Sequence, residues 1–234
     1  RVYQIDFGKI SVLSSDLMVK NKAGKMSLAP QEEVLKRKAQ REEALALLIR
    51  PTQAAGALDV RDDEGNTVLL HACKHGLWGV AEQLLAAGAK ADVTDASRMT
   101  ALALAIAHGH EDAAKMLIAP TQAAGALDVV DDTGSSALMI AATKGLVSVT
   151  EQLLAAGAKP ELTDTNKMTA LALAIAHGHE DAAKMLVAPT QTAGALDVVG
   201  DDGFSALLWA EERGMDSVAQ KLRESGAAAV RRPA

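Results

Sequence analysis

Aromatic residues and cysteine are scarce in this 234-residue chain: Trp, Tyr and Phe make up 2% of it, and Cys73 is the single cysteine. A β-sandwich or barrel draws more heavily on aromatic and β-branched residues, so the composition favours closely packed helices of Ala, Leu, Val, Ile and Met. One cysteine excludes an intrachain disulfide and a cysteine-based zinc site. It also suits an intracellular, reducing compartment, either the cytoplasm or an organelle reached after removal of a targeting peptide.

Long apolar runs and an excess of basic residues are lacking too. The longest apolar candidates, such as residues 101–107, fall far short of the roughly 18 residues that a membrane span needs, so we expect no membrane insertion. Lys and Arg total 24 against 30 Asp and Glu, a net charge of −6. This balance removes the broad basic surface that supplies phosphate affinity, and we expect no nucleic-acid partner.

The dominant positive feature is an internal duplication. Residues 100–131 and 169–200 are nearly identical and begin 69 residues apart. They differ at Ile118/Val187, Ala123/Thr192 and Asp131/Gly200. Since fixed-period self-similarity is typical of repeat architectures, we interpret the chain as a duplicated 69-residue unit.

Each unit divides again into two shorter repeats. Thr or Ser residues that can open a helix recur in steps of 33, 36, 33 and 36, at Thr67, Thr100, Ser136, Thr169 and Ser205. In the first repeat two apolar runs at helical spacing end at Gly76 and Gly88, as expected for glycines just after a helix. The turn-forming sequence of residues 62–65 precedes them. The pattern predicts a turn followed by two helices, repeated.

This pattern resembles the ankyrin repeat, whose consensus is roughly D-x-x-G-x-T-P-L-H-x-A-A-x-x-G-H-x-E-x-x-x-x-L-L-x-x-G-A-D. The chain departs from it at T-P-L-H, which becomes TVLL at 67–70, and in the Pro-Thr-Gln segments that begin at Pro51, Pro120 and Pro189. The resemblance implies an all-α solenoid of helix-turn-helix units linked by β-turns, with five clear repeats. Their predicted bounds are 62–94, 95–130, 131–163, 164–199 and 200–227.

Three segments outside these repeats receive separate predictions. Residues 30–61 align with later repeats but carry charges on the apolar face, so we predict a degenerate capping helix or repeat at the exposed end of the solenoid. Residues 1–29 do not fit the repeat and are predicted to form an extended arm on the solenoid or on a partner. Residues 228–234 are predicted to fray.

No motif in the sequence indicates catalysis, a metal site or a cofactor. His108-Gly-His110 and His177-Gly-His179 could supply zinc ligands, but a zinc site needs three or four convergent ligands. By the resemblance, His110 and His179 align with the consensus His of the ankyrin inter-helix turn. The Asp-rich turns lack the spacing of a calcium loop. Cys73 aligns with a buried alanine of the repeat, so we expect an inert core thiol.

The two tryptophans receive different predictions. Trp209 lies in the first helix of the last repeat, where we expect it to be core and to close the C-terminal end of the solenoid. Trp78 occupies a position that is Glu111 or Val147 in other repeats, so its ring is predicted to be exposed.

A solenoid offers a long surface without a deep enclosed pocket, which suits protein recognition better than small-molecule catalysis. The resemblance implies a non-enzymatic protein–protein interaction module that binds its partner through the turn tips and the exposed inner side of the first helices. Met99, Met168 and Phe204 are the expected apolar contacts. The partner-binding positions carried over from the family are Asp63, Glu64, Asn66, Lys74, His75, Arg98, Met99, His108, Thr133, Lys144, Asn166, Lys167, Met168, His177, Phe204 and Arg213.

Two other functions stay open. The chain could be a structural subunit built permanently into a large multiprotein assembly and docked by its N-terminal arm, or a regulatory domain of a longer enzyme. A permanent subunit should expose a large apolar patch, whereas an adaptor should be a soluble monomer.

Overall fold

The computed structural model describes residues 57–230, together with the backbone of two short strands near the N-terminus. Strand β1 (Met18–Lys20) pairs antiparallel with β2 (Met26–Leu28), with Met18 opposite Leu28. Both strands fall within the predicted arm. The rest of the arm, and the predicted cap up to residue 56, lie outside the described residues.

Ten α-helices follow in the described range, arranged as five pairs. They are α1 (Val68–Lys74), α2 (Trp78–Ala86), α3 (Ala101–Ala107), α4 (Glu111–Ala123), α5 (Ala137–Thr143), α6 (Val147–Ala155), α7 (Ala170–Ala176), α8 (Glu180–Thr192), α9 (Ala206–Glu212) and α10 (Asp216–Glu224). The repeat region is therefore an all-α solenoid, as predicted.

The first helix of every pair begins at the predicted Thr or Ser. In α3, for example, Thr100 has extended dihedrals and its Oγ1 accepts a hydrogen bond from the Ala103 N–H at 3.2 Å. This bond satisfies one of the amide groups that a helix leaves free at its N-terminus. The helix then ends after seven residues, and Gly109 follows its C-cap with a φ of +75°. The cap and the glycine together fix the length of each first helix.

The second helix of the pair alternates between nine and thirteen residues. The longer ones include the Pro-Thr-Gln segments, so Pro120 lies inside α4. The added turn reaches the next repeat, where Gln122 Nε2 donates to the Ala156 carbonyl at 2.7 Å. Gln191 makes the equivalent bond to the Ser225 carbonyl at 2.8 Å. The segments that depart from the consensus thus tie neighbouring repeats together.

One apolar core runs through the stacked pairs. It is made largely of leucine and alanine, and each first helix contributes a leucine that is at most 3% exposed. These leucines are Leu69, Leu102, Leu138, Leu171 and Leu207. Because the side chains are small, adjacent helices approach closely without aromatic residues.

The turns between repeats are also joined to one another. The Asp132 N–H donates to the Ser97 carbonyl at 3.1 Å, and the Thr165 N–H donates to the Thr133 carbonyl at 2.9 Å. The Asp201 N–H continues the series with the carbonyl of Asn166 at 2.9 Å. Successive turn tips are therefore held in a fixed register.

Residues 228–230, which belong to the segment predicted to fray, are hydrogen-bonded to the last repeat. The Ala228 N–H donates to Asp197 Oδ1 at 2.7 Å, and the Ser205 N–H donates to the Val230 carbonyl at 3.2 Å. These bonds hold the segment against the last repeat. Residues 231–234 lie outside the described range.

Candidate partner-binding surface

The turn tips and the exposed sides of the first helices share one surface, called here the inner face. Oδ2 of Asp62 in the first turn lies 2.6 Å from Nε2 of His71 in α1. In the last repeat, Asp202 of the turn accepts a hydrogen bond from Trp209 Nε1 of α9 at 2.9 Å. Turn and first helix are thus in direct contact at both ends of the described solenoid.

The sixteen predicted positions differ widely in exposure. Those that are exposed are Asp63, Glu64, Arg98, His108, Thr133, Lys144, Asn166, Lys167, His177 and Arg213. Those that are half-buried are Lys74, His75, Met99 and Phe204. Most of the predicted surface is therefore available to a partner, but two positions are not.

Asn66 and Met168 are buried, with exposed fractions of 6% and 8%, so neither side chain has the exposure that its prediction as a contact residue assumes. Asn66 is drawn into its own turn, where its N–H donates to Asp62 Oδ1 at 2.7 Å. Met168 packs over Gly200, and its Sδ lies 2.9 Å from where a Cβ on that glycine would be. The residue equivalent to Gly200 in the first 69-residue unit is Asp131, which carries a Cβ, and Met99 stays half-buried.

A row of basic side chains follows the C-termini of the first helices. We call it the C-cap row, because each member is the C-cap residue of its helix: His75, His108, Lys144, His177 and Arg213. All five were predicted contact positions. Every described repeat therefore presents an imidazole, an ammonium or a guanidinium group at the same place.

Two histidines of the row have lowered pKa values. Burial is the main cause that lowers the pKa of His75 to about 4, and the neighbouring His71, Lys74, His108 and His110 lower it further. The pKa of His108 is lowered by burial first and then by His110, Lys74 and Lys144. His75 is thus neutral at pH 7 because it is partly buried among other basic groups.

Two turn tips carry a basic residue in a backbone conformation that favours glycine. Arg98 and Lys167 have φ values of +63° and +59°, at positions that are glycine in the other three repeats. A residue with a Cβ pays roughly 1 kcal/mol for the left-handed conformation. Lys167 Nζ also lies 2.6 Å from Asp201 Oδ1 in the next turn.

The last repeat presents an aromatic cluster that the sequence pattern did not predict. Trp209, predicted to be a core residue, packs against the core but is only half-buried, and it contacts the turn of the inner face through Asp202. Its ring lies 5.4 Å from that of Phe204, centroid to centroid, and the guanidinium carbon of Arg213 lies 5.4 Å from the Trp209 centroid. The equivalent residue one repeat earlier is Leu173, which is also only partly buried. The equivalence with Leu173 is the sequence feature from which the partial exposure of Trp209 could have been predicted.

The remaining histidines have structural roles between repeats. His179 Nε2 lies 2.8 Å from the Thr143 carbonyl oxygen of the preceding repeat, and His110 Nε2 lies 3.3 Å from that of Lys74. Within residues 57–230, no group of three or more His, Cys, Asp or Glu residues could hold a metal ion.

The predictions for Cys73 and Trp78 are confirmed. Cys73 is fully buried, and burial raises the pKa of its thiol to about 12, which keeps it protonated and unreactive. Trp78 is 50% exposed at the start of α2. Among the described helices, none is both long and apolar enough to cross a bilayer.

Comparison with known proteins supports the repeat assignment. A family model described as ankyrin repeats in three copies matches residues 35–126, 77–164 and 138–232. The human ankyrin repeat domain-containing protein 63 is 34% identical over 148 residues, which are 59% of this chain and 38% of that protein. The ankyrin repeat and KH domain-containing protein mask-1 of Caenorhabditis elegans is 32% identical over 129 residues, or 54% of this chain and 5% of that protein.

The chain therefore spans well under half the length of these two relatives. Among solved structures, it is similar to the crystal structure of an ankyrin repeat domain from Acinetobacter baumannii AYE, with a TM-score of 0.68 and 27% sequence identity. That likeness covers 80% of this chain and 97% of the bacterial chain. Ankyrin repeats are generally protein–protein interaction modules, and the family is generally non-enzymatic.

Proposed function

Because this chain belongs to the ankyrin repeat family, we propose that it is a non-enzymatic module that binds a protein partner on its inner face. The contact surface in this proposal consists of the turn tips and the exposed side of the first helices. An intracellular, reducing compartment remains part of the proposal, since the one cysteine is a buried free thiol.

The observation that carries the proposal is the cluster of Phe204, Trp209 and Arg213. Trp and Arg are enriched among the residues that contribute most to the affinity of protein complexes. Trp209 is held in place by its hydrogen bond to Asp202 and by Arg213 over its ring, so little side-chain freedom remains to be lost on binding. A half-buried, fixed ring on an otherwise polar surface is suited to contact a partner.

The test uses the full chain as tagged bait in native extract, with cross-linking and mass spectrometry of the proteins recovered. Trp209→Ala should reduce the recovery of a specific partner, and the affinity measured with the purified partner should fall about thirtyfold, as for a central interface residue. Trp78→Ala is the matched control, because it removes an exposed tryptophan at the start of α2 instead. Circular dichroism establishes that both variants fold.

Equal recovery with wild type and Trp209→Ala would contradict the proposal. The alternative function, a permanent subunit docked by its arm, has a different signature in the same experiment. In that case the chain is recovered stoichiometrically in one large complex that survives a high-salt wash. Deletion of residues 1–29 then abolishes recovery, while Trp209→Ala does not.

A further inference from the structure

We propose that the C-cap row binds a carboxylate-rich segment of the partner protein. The inference rests on the proposed function and adds the chemistry of the partner to it. The row consists of His75, His108, Lys144, His177 and Arg213, as defined above.

Regular placement is the first argument. Each side chain follows a seven-residue helix at the same C-cap position, so the row advances by one group per repeat along the solenoid. Four of the five side chains are exposed, and His75 is half-buried. An extended peptide lying along the repeats could therefore contact several of these groups at once.

The lack of ion-pair partners is the second argument. Within residues 57–230, none of the five side chains forms an ion pair with the protein, although Lys115, Lys167, Lys184 and Arg223 all do. The nearby carboxylate of Asp62 is already engaged by His71. Within these residues the row thus has no carboxylate partner, in a chain whose net charge is −6; Arg213 contacts the Trp209 ring instead.

Charge and composition favour a polypeptide over a nucleic acid as the anion. A nucleic acid needs many phosphate contacts, and stacking on its bases needs aromatic side chains. The chain as a whole is acidic and contains 2% aromatic residues. Carboxylates spaced along a peptide match separate basic groups without requiring a broad positive surface.

Binding should also be coupled to protonation. His75 faces His71, Lys74, His108 and His110, and His108 faces His110, Lys74 and Lys144. Partial burial first, and then these basic neighbours, disfavour the imidazolium form of both rings in the free protein. A carboxylate placed beside either ring would favour that form and raise its pKa, so the affinity should increase as the pH falls.

The experiment measures the fluorescence anisotropy of a labelled octaglutamate peptide with the full chain at about 50 mM salt, where screening is moderate. Lys144→Ala with Arg213→Ala should weaken binding about fivefold, because two exposed ion pairs are lost. The matched control is Lys90→Ala with Lys115→Ala, which removes the same charge away from the row and should leave the affinity within twofold. Wild type should bind more tightly at about pH 6 than at about pH 8.

Three outcomes overturn the inference. They are no binding of octaglutamate to wild type, an equal loss in the two double variants, and tighter binding of an oligouridylate of equal charge. If any of these occurs while partner recovery still depends on Trp209, the proposed function stands and only the assignment of a carboxylate-rich ligand is lost. Loss of the Trp209 dependence alone instead removes the proposed function.

Discussion

Replacing Gly145 by alanine tests how tightly neighbouring repeats fit together. Gly145 follows the C-cap of α5 with a φ of +67°, and His179 of the next repeat packs directly over it. A Cβ added at Gly145 would overlap His179 Nδ1 and lie 2.7 Å from Cγ. The ring is also fixed by its contact with the Thr143 carbonyl, so it has little room to withdraw.

The expected cost has two parts. The left-handed backbone destabilises the fold by roughly 1 kcal/mol for any residue with a Cβ. Forcing an extra methyl group into a packed contact typically adds about 2 kcal/mol to this loss of stability. Gly145→Ala should therefore lower the free energy of unfolding by about 3 kcal/mol.

Gly178→Ala is the matched control for this substitution. Gly178 follows the C-cap of α7 in the same way, with a φ of +79°, but nothing lies within 4 Å of an added Cβ. Only the backbone cost of about 1 kcal/mol should remain there. Urea unfolding followed by circular dichroism measures both variants.

A double-mutant cycle with His179→Ala identifies the cause. Without the ring, Gly145→Ala should cost about as much as Gly178→Ala, which corresponds to an interaction free energy of about 2 kcal/mol. Equal costs for the two single glycine variants, or an additive double variant, would refute this account of the contact.

Three further predictions concern backbone strain and contacts between repeats. Arg98→Gly should raise the free energy of unfolding by up to about 1 kcal/mol, because it relieves the left-handed strain at a φ of +63°. Lys167→Gly should gain less, since it also loses the contact with Asp201. Gln122→Ala should cost about 1 kcal/mol by removing the bond to the Ala156 carbonyl. Urea midpoints test all three, and a neutral Gln122→Ala or a destabilising Arg98→Gly would contradict the reasoning.

The helices could be predicted because their signals are local and repeated. Thr100 caps its own helix, and the glycine after the C-cap adopts the required positive φ within a few residues. Five copies of that signal, in alternating steps of 33 and 36 residues, leave little ambiguity about where each pair begins. The five residues of the C-cap row follow the same regularity, since each is the C-cap residue of its first helix.

The burial of particular side chains could not be predicted in this way, since it depends on the neighbouring repeat. Met99 and Met168 occupy equivalent positions, yet only Met168 is buried. Met168 packs over Gly200, and the position equivalent to that glycine in the first unit is Asp131. Trp209 likewise follows an apolar helix pattern that does not distinguish the core from the inner face. Only the packed structure shows which side of α9 its ring occupies.

The alternation of long and short second helices has a consequence for changes in chain length. After a repeat with a short second helix, the junction packs a histidine on a glycine, as His179 packs on Gly145. After a repeat with a long second helix, the junction instead has a glutamine side chain bonded to the next repeat, as Gln122 is bonded to Ala156. Deleting residues 100–168 would join Met99 to Thr169 and recreate a native junction, with His179 facing Gly76. Deleting a single repeat would instead place two repeats with second helices of the same length next to each other, a junction that the described repeats do not contain. Insertions and deletions that preserve the packing should therefore occur in multiples of 69 residues.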